Sequence, residues 1–371
     1  MRIALVCPYS CTDHGGVQTQ VLGLARALGS RGDQVALVAP GDPEAVAGRL
    51  DEASLGGALF MRVGRGTPVS VNGSRAPVSP WPATMARTLS SLRSFAPEVV
   101  HIHEPFVPGP SLAALFSGPR PIVATFHRAG ADLAYLVFGH LLGGRSRRIG
   151  ETFAVSEEAA ATARRCVAHL VEPVSIVANG VEVERLSTVQ PWPTEAPTVV
   201  FVGRHEPRKG LEVLLEAFAL LPASTRLWVL GDGPQTARLR ARFASQGRIE
   251  WAGPVDDLER ARRLAGADVF VAPSLGGESF GLVLLEAMAT GTAVVASDLP
   301  GYRLAAAGAA CLVAPGQIGE LAGAIADVLG DEAERRALGE KGRRRALECD
   351  MGTVADRYRE AYARLGCARR E

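Results

Sequence analysis

Asp268-Val269-Phe270-Val271-Ala272, then Pro273-Ser274-Leu275-Gly276-Gly277-Glu278-Ser279-Phe280-Gly281, then Leu282-Val283-Leu284-Leu285-Glu286 is the stretch on which the fold turns. The first five residues form a short, nearly continuous apolar run, the pattern of a parallel strand buried on both faces. A glycine-rich loop follows, and Gly281 to Ala289 predicts a helix that is apolar all round and therefore buried. Strand, loop and helix make half of a βαβ unit, and in open parallel sheets ligands sit in the loops that follow strands.

The same alternation runs outward in both directions. Around this stretch, strands are predicted at Thr198 to Val202, Arg226 to Leu230, Ile249 to Ala252, Ala293 to Ala296 and Cys311 to Val313, with helices near Leu211 to Leu221, Gln235 to Phe243 and Leu258 to Leu264. Upstream, strands are predicted at Ile3 to Cys7, Gln34 to Val38, Val99 to Ile102, Ile122 to Phe126 and Thr152 to Val155. Helices are expected at Gln18 to Leu28 and after Ser156-Glu157. Repeated alternation implies right-handed crossovers and an α/β fold of two doubly wound, Rossmann-like lobes. The 371 residues suit two domains. The expected division is 1–175, 176–349 and a C-terminal helix in 350–371 that packs back on the first lobe. Pro191-Trp192-Pro193 lies near the expected junction, and the Asn179-Gly180 turn is the other candidate boundary.

Net charge is +1, which argues against a general nucleic-acid binder, since that task needs a basic face. The six cysteines are scattered with no C-x-x-C pair, as expected for reduced thiols in a cytoplasmic protein. No apolar run is long enough to span a bilayer. Of the 40 basic residues only Lys209 and Lys341 are lysine, so a lysine here is seldom an incidental basic residue.

Four constellations carry chemistry. Glu286 falls inside the apolar helix, where an unpaired carboxylate costs several kcal/mol, and a ribose diol would supply two donors. Glu278 precedes it in a loop whose glycines leave helix N–H groups open to an anion; interaction with the helix dipole alone is the competing explanation for that residue. Gly203-Arg204-His205-Glu206-Pro207-Arg208-Lys209-Gly210 follows a strand directly. Fixed cations there suit a diphosphate whose charge grows as a leaving group departs, against the plainer possibility of a charged surface turn. Gly15-Gly16 joins the first strand to its helix and allows close backbone approach, as any tight turn would. His127 ends a strand, a place for a sugar or acceptor contact, although a lone His is more often a satisfied core residue. His101-Ile102-His103-Glu104 has the alternation of a metal site but no further ligand is identifiable in sequence.

E-x7-E after a glycine-rich turn resembles the signature of retaining glycosyltransferase family 4, whose fold is GT-B, with two Rossmann-like lobes facing a central cleft. The resemblance extends over nearly the whole chain and sharpens towards the actinobacterial phosphatidylinositol mannosyltransferases through Val6-Cys7-Pro8-Tyr9-Ser10, Gly15-Gly16-Val17-Gln18, His101 to Pro105, Ile122 to His127, Asn179-Gly180-Val181 and Gly276 to Glu286. It implies catalytic roles for Glu278, His127, Arg204 and Lys209. It implies a donor site of Gly16, Arg204, Lys209, Val255, Asp257, Arg260, Glu278, Ser279, Phe280, Gly281, Leu282 and Glu286, with Val255, Asp257 and Arg260 at guanine. It implies an acceptor site of Tyr9, Asp13, Gln18, Asn72, Ser74, Arg75 and His127. The implied co-substrate is GDP-mannose, with no bound metal or other cofactor, and the implied acceptor is an inositol lipid or related hydroxyl compound.

Two departures bear on the acceptor. The family's membrane-binding helix is rich in Lys, whereas Ala83 to Phe95 keeps an apolar stripe (Met85, Leu89, Leu92) but only Arg87 and Arg93 as cations. At about 1 kcal/mol per basic residue, that implies weak peripheral contact with the inner face of the plasma membrane. After Asn72-Gly73-Ser74, the chain reads Arg75-Ala76-Pro77 where a further basic contact is expected. The alternatives are another nucleotide sugar with a soluble acceptor, an NAD(P)-dependent oxidoreductase, and a non-catalytic sugar-nucleotide or lipid-binding module. The oxidoreductase lacks G-x-G-x-x-G, although Asp42 lies near where a ribose-binding acid belongs. Leu133 to Leu142 reads as a core helix or as the wall of a lipid-accepting cleft.

Overall fold

The structure, a computed structural model, describes residues 1–13, 15–50, 58–71, 74–128, 144–166 and 174–367, with backbone alone at 47–50, 68–71, 74–76, 166 and 367. The chain divides into two units, Met1–Gly180 with Met351–Glu371, and Val181–Asp350. The boundary therefore follows the Asn179-Gly180 turn rather than residue 175.

The first unit is built on β1 (Arg2–Val6), β2 (Gln34–Ala39), β3 (Leu59–Arg62), β6 (Val99–His103), β7 (Ile122–Phe126), β8 (Ile149–Ala154) and β9 (Ser175–Ile176). A separate antiparallel hairpin pairs β4 (Thr67–Val71) with β5 (Ser74–Val78). The seven-stranded sheet runs β3-β2-β1-β6-β7-β8-β9, and every pairing in it is parallel. Order reverses between β1 and β6. The central strands β6 and β7 are buried at every position, because helices cover both faces of a parallel sheet.

The second unit carries β10 (Thr198–Val202), β11 (Arg226–Leu230), β12 (Ile249–Gly253), β13 (Val269–Ala272), β14 (Ala293–Ser297) and β15 (Cys311–Val313). Its sheet is also all parallel, in the order β12-β11-β10-β13-β14-β15. Here the order reverses between β10 and β13, so the loops after those two strands flank the switch point.

Two stretches of the second unit are held by contacts that the apolar pattern does not show. Pro191-Trp192-Pro193 lies within the second unit, near its start, as the expected division placed it. The Trp192 ring lies beneath the guanidinium groups of Arg262 and Arg263, at 5.0 and 4.4 Å, and the Trp192 backbone N–H donates to the Arg262 carbonyl at 2.8 Å. The helix Glu332–Glu348 has no apolar stripe in sequence. Its buried residues are Gly339, Gly342 and Ala346, and a Cβ at Gly339 would lie 2.3 Å from the Gly291 carbonyl oxygen. Closeness of two backbones replaces large apolar side chains there.

The C-terminal helix Met351–Cys367 returns to the first unit, where Val354, Ala355, Tyr358, Ala361 and Tyr362 join the core formed by Val21, Leu22, Leu24 and Ala25 of the helix Gly16–Gly29. In the helix Pro82–Phe95, Leu92 is fully buried, Met85 and Leu89 are half-buried, and Arg87 and Arg93 are exposed. Its apolar stripe is thus partly core. Leu133 to Leu142 lies outside the described residues.

Candidate active site

In the second unit, both switch-point loops bear charge. The loop after β10 holds Arg204 to Lys209, the last three residues of it forming one 3₁₀ turn, Pro207–Lys209. The loop after β13 holds Pro273 to Gly281. Gly210 joins them: its φ is +67°, and a Cβ there would sit 1.9 Å from the Pro273 carbonyl oxygen. The Leu275 N–H also donates to the Arg208 carbonyl at 2.7 Å. Only glycine meets both demands.

This closeness brings the charged groups together. Lys209 Nζ lies 2.7 Å from Glu278 Oε1, and Arg208 Nη1 lies 3.2 Å from the same oxygen. The Ser274 hydroxyl donates to it at 3.1 Å and is itself 2.8 Å from the Tyr302 hydroxyl. Burial raises the Tyr302 phenol far above its ordinary pKa, with the Glu278 charge adding to the effect, so it stays a neutral partner. Glu206 is buried, with Arg204 Nε at 3.0 Å from Oε1 and Arg208 Nε at 3.1 Å from Oε2. Arg204, Arg208 and Lys209 against Glu206 and Glu278 leave one net positive charge at the switch point.

Sequence reasoning singled out Arg204, Lys209 and Glu278 and passed over Arg208, Glu206, Ser274 and Tyr302. His205 also has a structural task. Its Nδ1 is 2.7 Å from the Thr236 hydroxyl, which donates to Asp232 Oδ1 at 2.5 Å and ties the charged loop to the turn after β11.

A second group lies at the helix Asp257–Gly266. Asp256 caps it by accepting from the Glu259 N–H at 2.7 Å, which places Asp257 at the first helical position. Arg260 Nη2 is 3.1 Å from Asp257 Oδ1 and 3.3 Å from Glu286 Oε1. Burial opposes the Arg260 charge, but the two carboxylates outweigh it and raise its pKa. The buried Glu286 therefore has a protein partner, which the sequence did not reveal. Ser279 and Leu282 are half-buried, and Phe280 is 2% exposed, leaving mainly its backbone for a ligand. Val255 is half-buried in the loop after β12.

The first unit is different. Gly15 precedes the helix Gly16–Gly29 without a side-chain cap. Gln18 is buried against Gly15 and donates to the Ser10 carbonyl at 3.4 Å, so it braces this loop. Tyr9 is half-buried and bridges to Val78, while Asp13 is exposed. Asp42 accepts from the Glu44 N–H at 3.0 Å, capping the helix Pro43–Leu50. Asn72 lies outside the described residues, as do the side chains of Ser74 and Arg75.

His127 is 8% exposed, and its Nε2 is 2.9 Å from His103 Nδ1. Its backbone N–H donates to Glu104 Oε1 at 2.6 Å. His101 is held at both nitrogens: Nδ1 is 2.6 Å from the Tyr362 hydroxyl and Nε2 is 2.7 Å from the Thr125 hydroxyl. Because Thr125 donates onward to Tyr358, its oxygen accepts from His101 Nε2–H, and Tyr362 donates to Nδ1. Burial lowers the pKa of His101 to about 3 and of His127 to about 4. These imidazoles are neutral at pH 7. Among the described residues, no group of three or more His, Cys, Asp or Glu is arranged to hold a metal ion.

The family described as Glycosyltransferase Family 4 matches residues 14–185, and the family described as Glycosyl transferases group 1 matches residues 196–331. A phosphatidyl-myo-inositol mannosyltransferase of Mycolicibacterium smegmatis is 36% identical over 98% of this chain and 93% of its own. A protein of the same name from Propionibacterium freudenreichii is 39% identical over 81% of this chain and 78% of its own. Among solved structures, sucrose-phosphate synthase from Thermosynechococcus elongatus gives a TM-score of 0.73 at 22% identity over 99% of each chain. A glycosyltransferase from Rickettsia africae gives 0.75 at 16% identity over 98% of each. These two likenesses establish the fold, GT-B.

Proposed function

The chain belongs to glycosyltransferase family 4, and from that premise we propose that it transfers mannose from GDP-mannose to an inositol phospholipid with retention at the anomeric carbon. The observation that carries this reading is the convergence of Arg208 and Lys209 on Glu278 at the switch point of the second unit.

Each part has a chemical task. Arg204 and Lys209, with Arg208 beside them, neutralise the diphosphate as it leaves, so the charge needed in the transition state comes from fixed side chains without an obligatory metal. Gly16 and the start of its helix offer backbone N–H groups to the phosphates. Glu286 accepts from the ribose hydroxyls and Asp257 from the adjacent N–H donors of guanine, each in competition with Arg260. Glu278 contacts the transferred sugar. The acceptor hydroxyl attacks C1 on the face the diphosphate leaves; the C1–O bond to the diphosphate breaks as the new C1–O bond forms. The hydroxyl proton passes to a diphosphate oxygen. His127, neutral at pH 7, hydrogen-bonds the sugar or acceptor.

Among the described residues, no helix is long and apolar enough to cross a membrane. A peripheral site at the inner face of the plasma membrane fits a lipid acceptor, with Arg87 and Arg93 giving weak attraction to anionic lipid. A thermal-shift screen of GDP-, UDP- and ADP-sugars followed by trials with phosphatidylinositol vesicles tests the reading. GDP-mannose should stabilise most and donate mannose. Preference for a UDP-sugar would overturn the donor, an inverted product by NMR would overturn retention, and binding without turnover on any acceptor would leave a binding module.

A further inference from the structure

Glu206 is 3% exposed and carries a charge that the transfer chemistry above does not use. Taking a carboxylate out of water costs several kcal/mol unless its partners are well placed. Its two oxygens are divided between two arginines: Oε1 meets Arg204 Nε and Oε2 meets Arg208 Nε. Both contacts are made at Nε, the base of the guanidinium group, so each fixes the plane of the fork that follows it. Arg208 then reaches Glu278 Oε1 through Nη1 at 3.2 Å, on the oxygen that Lys209 also holds. The backbone supports this placement. Glu206 is extended at φ −111° and ψ 150°, directly before the turn Pro207–Lys209, and its carbonyl accepts from the Lys209 N–H at 2.9 Å.

We propose that Glu206 is a positioning residue for glycosyl transfer, setting Arg204 and Arg208 as a pair of oriented guanidinium groups on the departing diphosphate and tying Arg208 to Glu278. The proposal rests on the reading of this loop as the diphosphate holder. Bulk attraction between the loop and an anion needs only net charge, and Glu206 subtracts from it. A buried carboxylate that costs positive charge at an anion site is explained by orientation, which matters most as charge develops on the leaving group.

The test is a double-mutant cycle in kcat and donor KM, with GDP-mannose and phosphatidylinositol vesicles, on wild type, Glu206→Gln, Arg208→Gln and the double variant. Glu206→Gln is isosteric and keeps one carbonyl acceptor. It should lower kcat about 10- to 100-fold while donor KM changes less than about threefold. Because Glu206 acts in part through Arg208 and in part through Arg204, the double variant should lose clearly less than the product of the two single losses. A purely structural role would give independent losses that multiply. Glu206→Asp, which keeps the charge one methylene shorter, serves if the Gln variant does not fold, and should show the same kcat loss. Folded Glu206 variants with wild-type kcat, or multiplying losses, would overturn the proposal. If wild type itself does not turn over GDP-mannose, the donor reading fails instead, and the cycle is run with the nucleotide sugar that thermal shift selects.

Discussion

The two switch points present opposite chemistry on one topology. Each sheet places its first strand centrally and reverses order beside it. In the second unit, the flanking loops bring five ionic side chains into contact, with Glu278 accepting from Lys209, Arg208 and Ser274. In the first unit, strands β6 and β7 carry His101, His103 and Thr125, and His127 follows β7; buried and uncharged, they bond to one another and to tyrosines of the C-terminal helix. A parallel sheet supplies only a place where loops diverge. Charged, partly exposed loops suit a diphosphate, and neutral buried imidazoles suit hydroxyl groups.

Exchanging one side chain at a time should separate the two regions. The largest effect is expected at Lys209→Ala or Glu278→Gln, with kcat lower by about 100- to 1000-fold and little change in Tm, measured by steady-state transfer from GDP-mannose. Wild-type turnover in either variant would remove the charged loop from the chemistry. Next, Asp257→Asn should raise KM for GDP-mannose by about 10-fold or more, since one buried acceptor for guanine becomes partly a donor. A proportional rise for UDP-sugars would show that Asp257 does not read the base.

Gly210→Ala sharpens the comparison differently. A positive φ costs about 1–3 kcal/mol for a residue with a side chain, before the clash with Pro273 is counted. Both stability and activity should fall, as calorimetry and transfer assays would report. The imidazoles predict a pH dependence of stability. Their folded pKa values lie below the ordinary 6.5, at about 3 for His101 and about 4 for His127, so the unfolded chain takes up protons that the folded one refuses. Their contribution is full above pH 6.5 and is lost as pH falls from there, towards about 4 for His127 and about 3 for His101, seen as a falling Tm. A Tm flat across that window would contradict the burial of these rings. The smallest effect is Tyr362→Phe, which removes the proton donated to His101 and should cost about 1 kcal/mol in denaturant unfolding without altering donor KM.

How much was legible in sequence follows the same division. The strands Ile122–Phe126, Thr198–Val202 and Arg226–Leu230 match their apolar runs residue for residue, because burial on both faces leaves a continuous signal. The hairpin of Thr67–Val71 and Ser74–Val78 gives no such signal, with its prolines and polar residues. Glu332–Glu348 escaped because glycine and alanine make its contact face. At the site, the charged run 204–209 and Glu278 stood out by type and by position after strands, and Lys209 as one of only two lysines, whereas the resemblance picked Arg204 over Arg208. Glu206 and Arg208 sat in the same loop but looked like a solvated turn, since alternating charge does not reveal burial. The partner of His101, Tyr362, is 261 residues away, a distance that no local pattern spans.

The most direct test is the affinity for GDP against GMP, by calorimetry, in wild type and in Lys209→Ala. If the loops after β10 and β13 hold the diphosphate, the substitution weakens GDP by about 10-fold or more and leaves GMP, which lacks the second phosphate, nearly unchanged. Equal weakening of both nucleotides, or of neither, would contradict it.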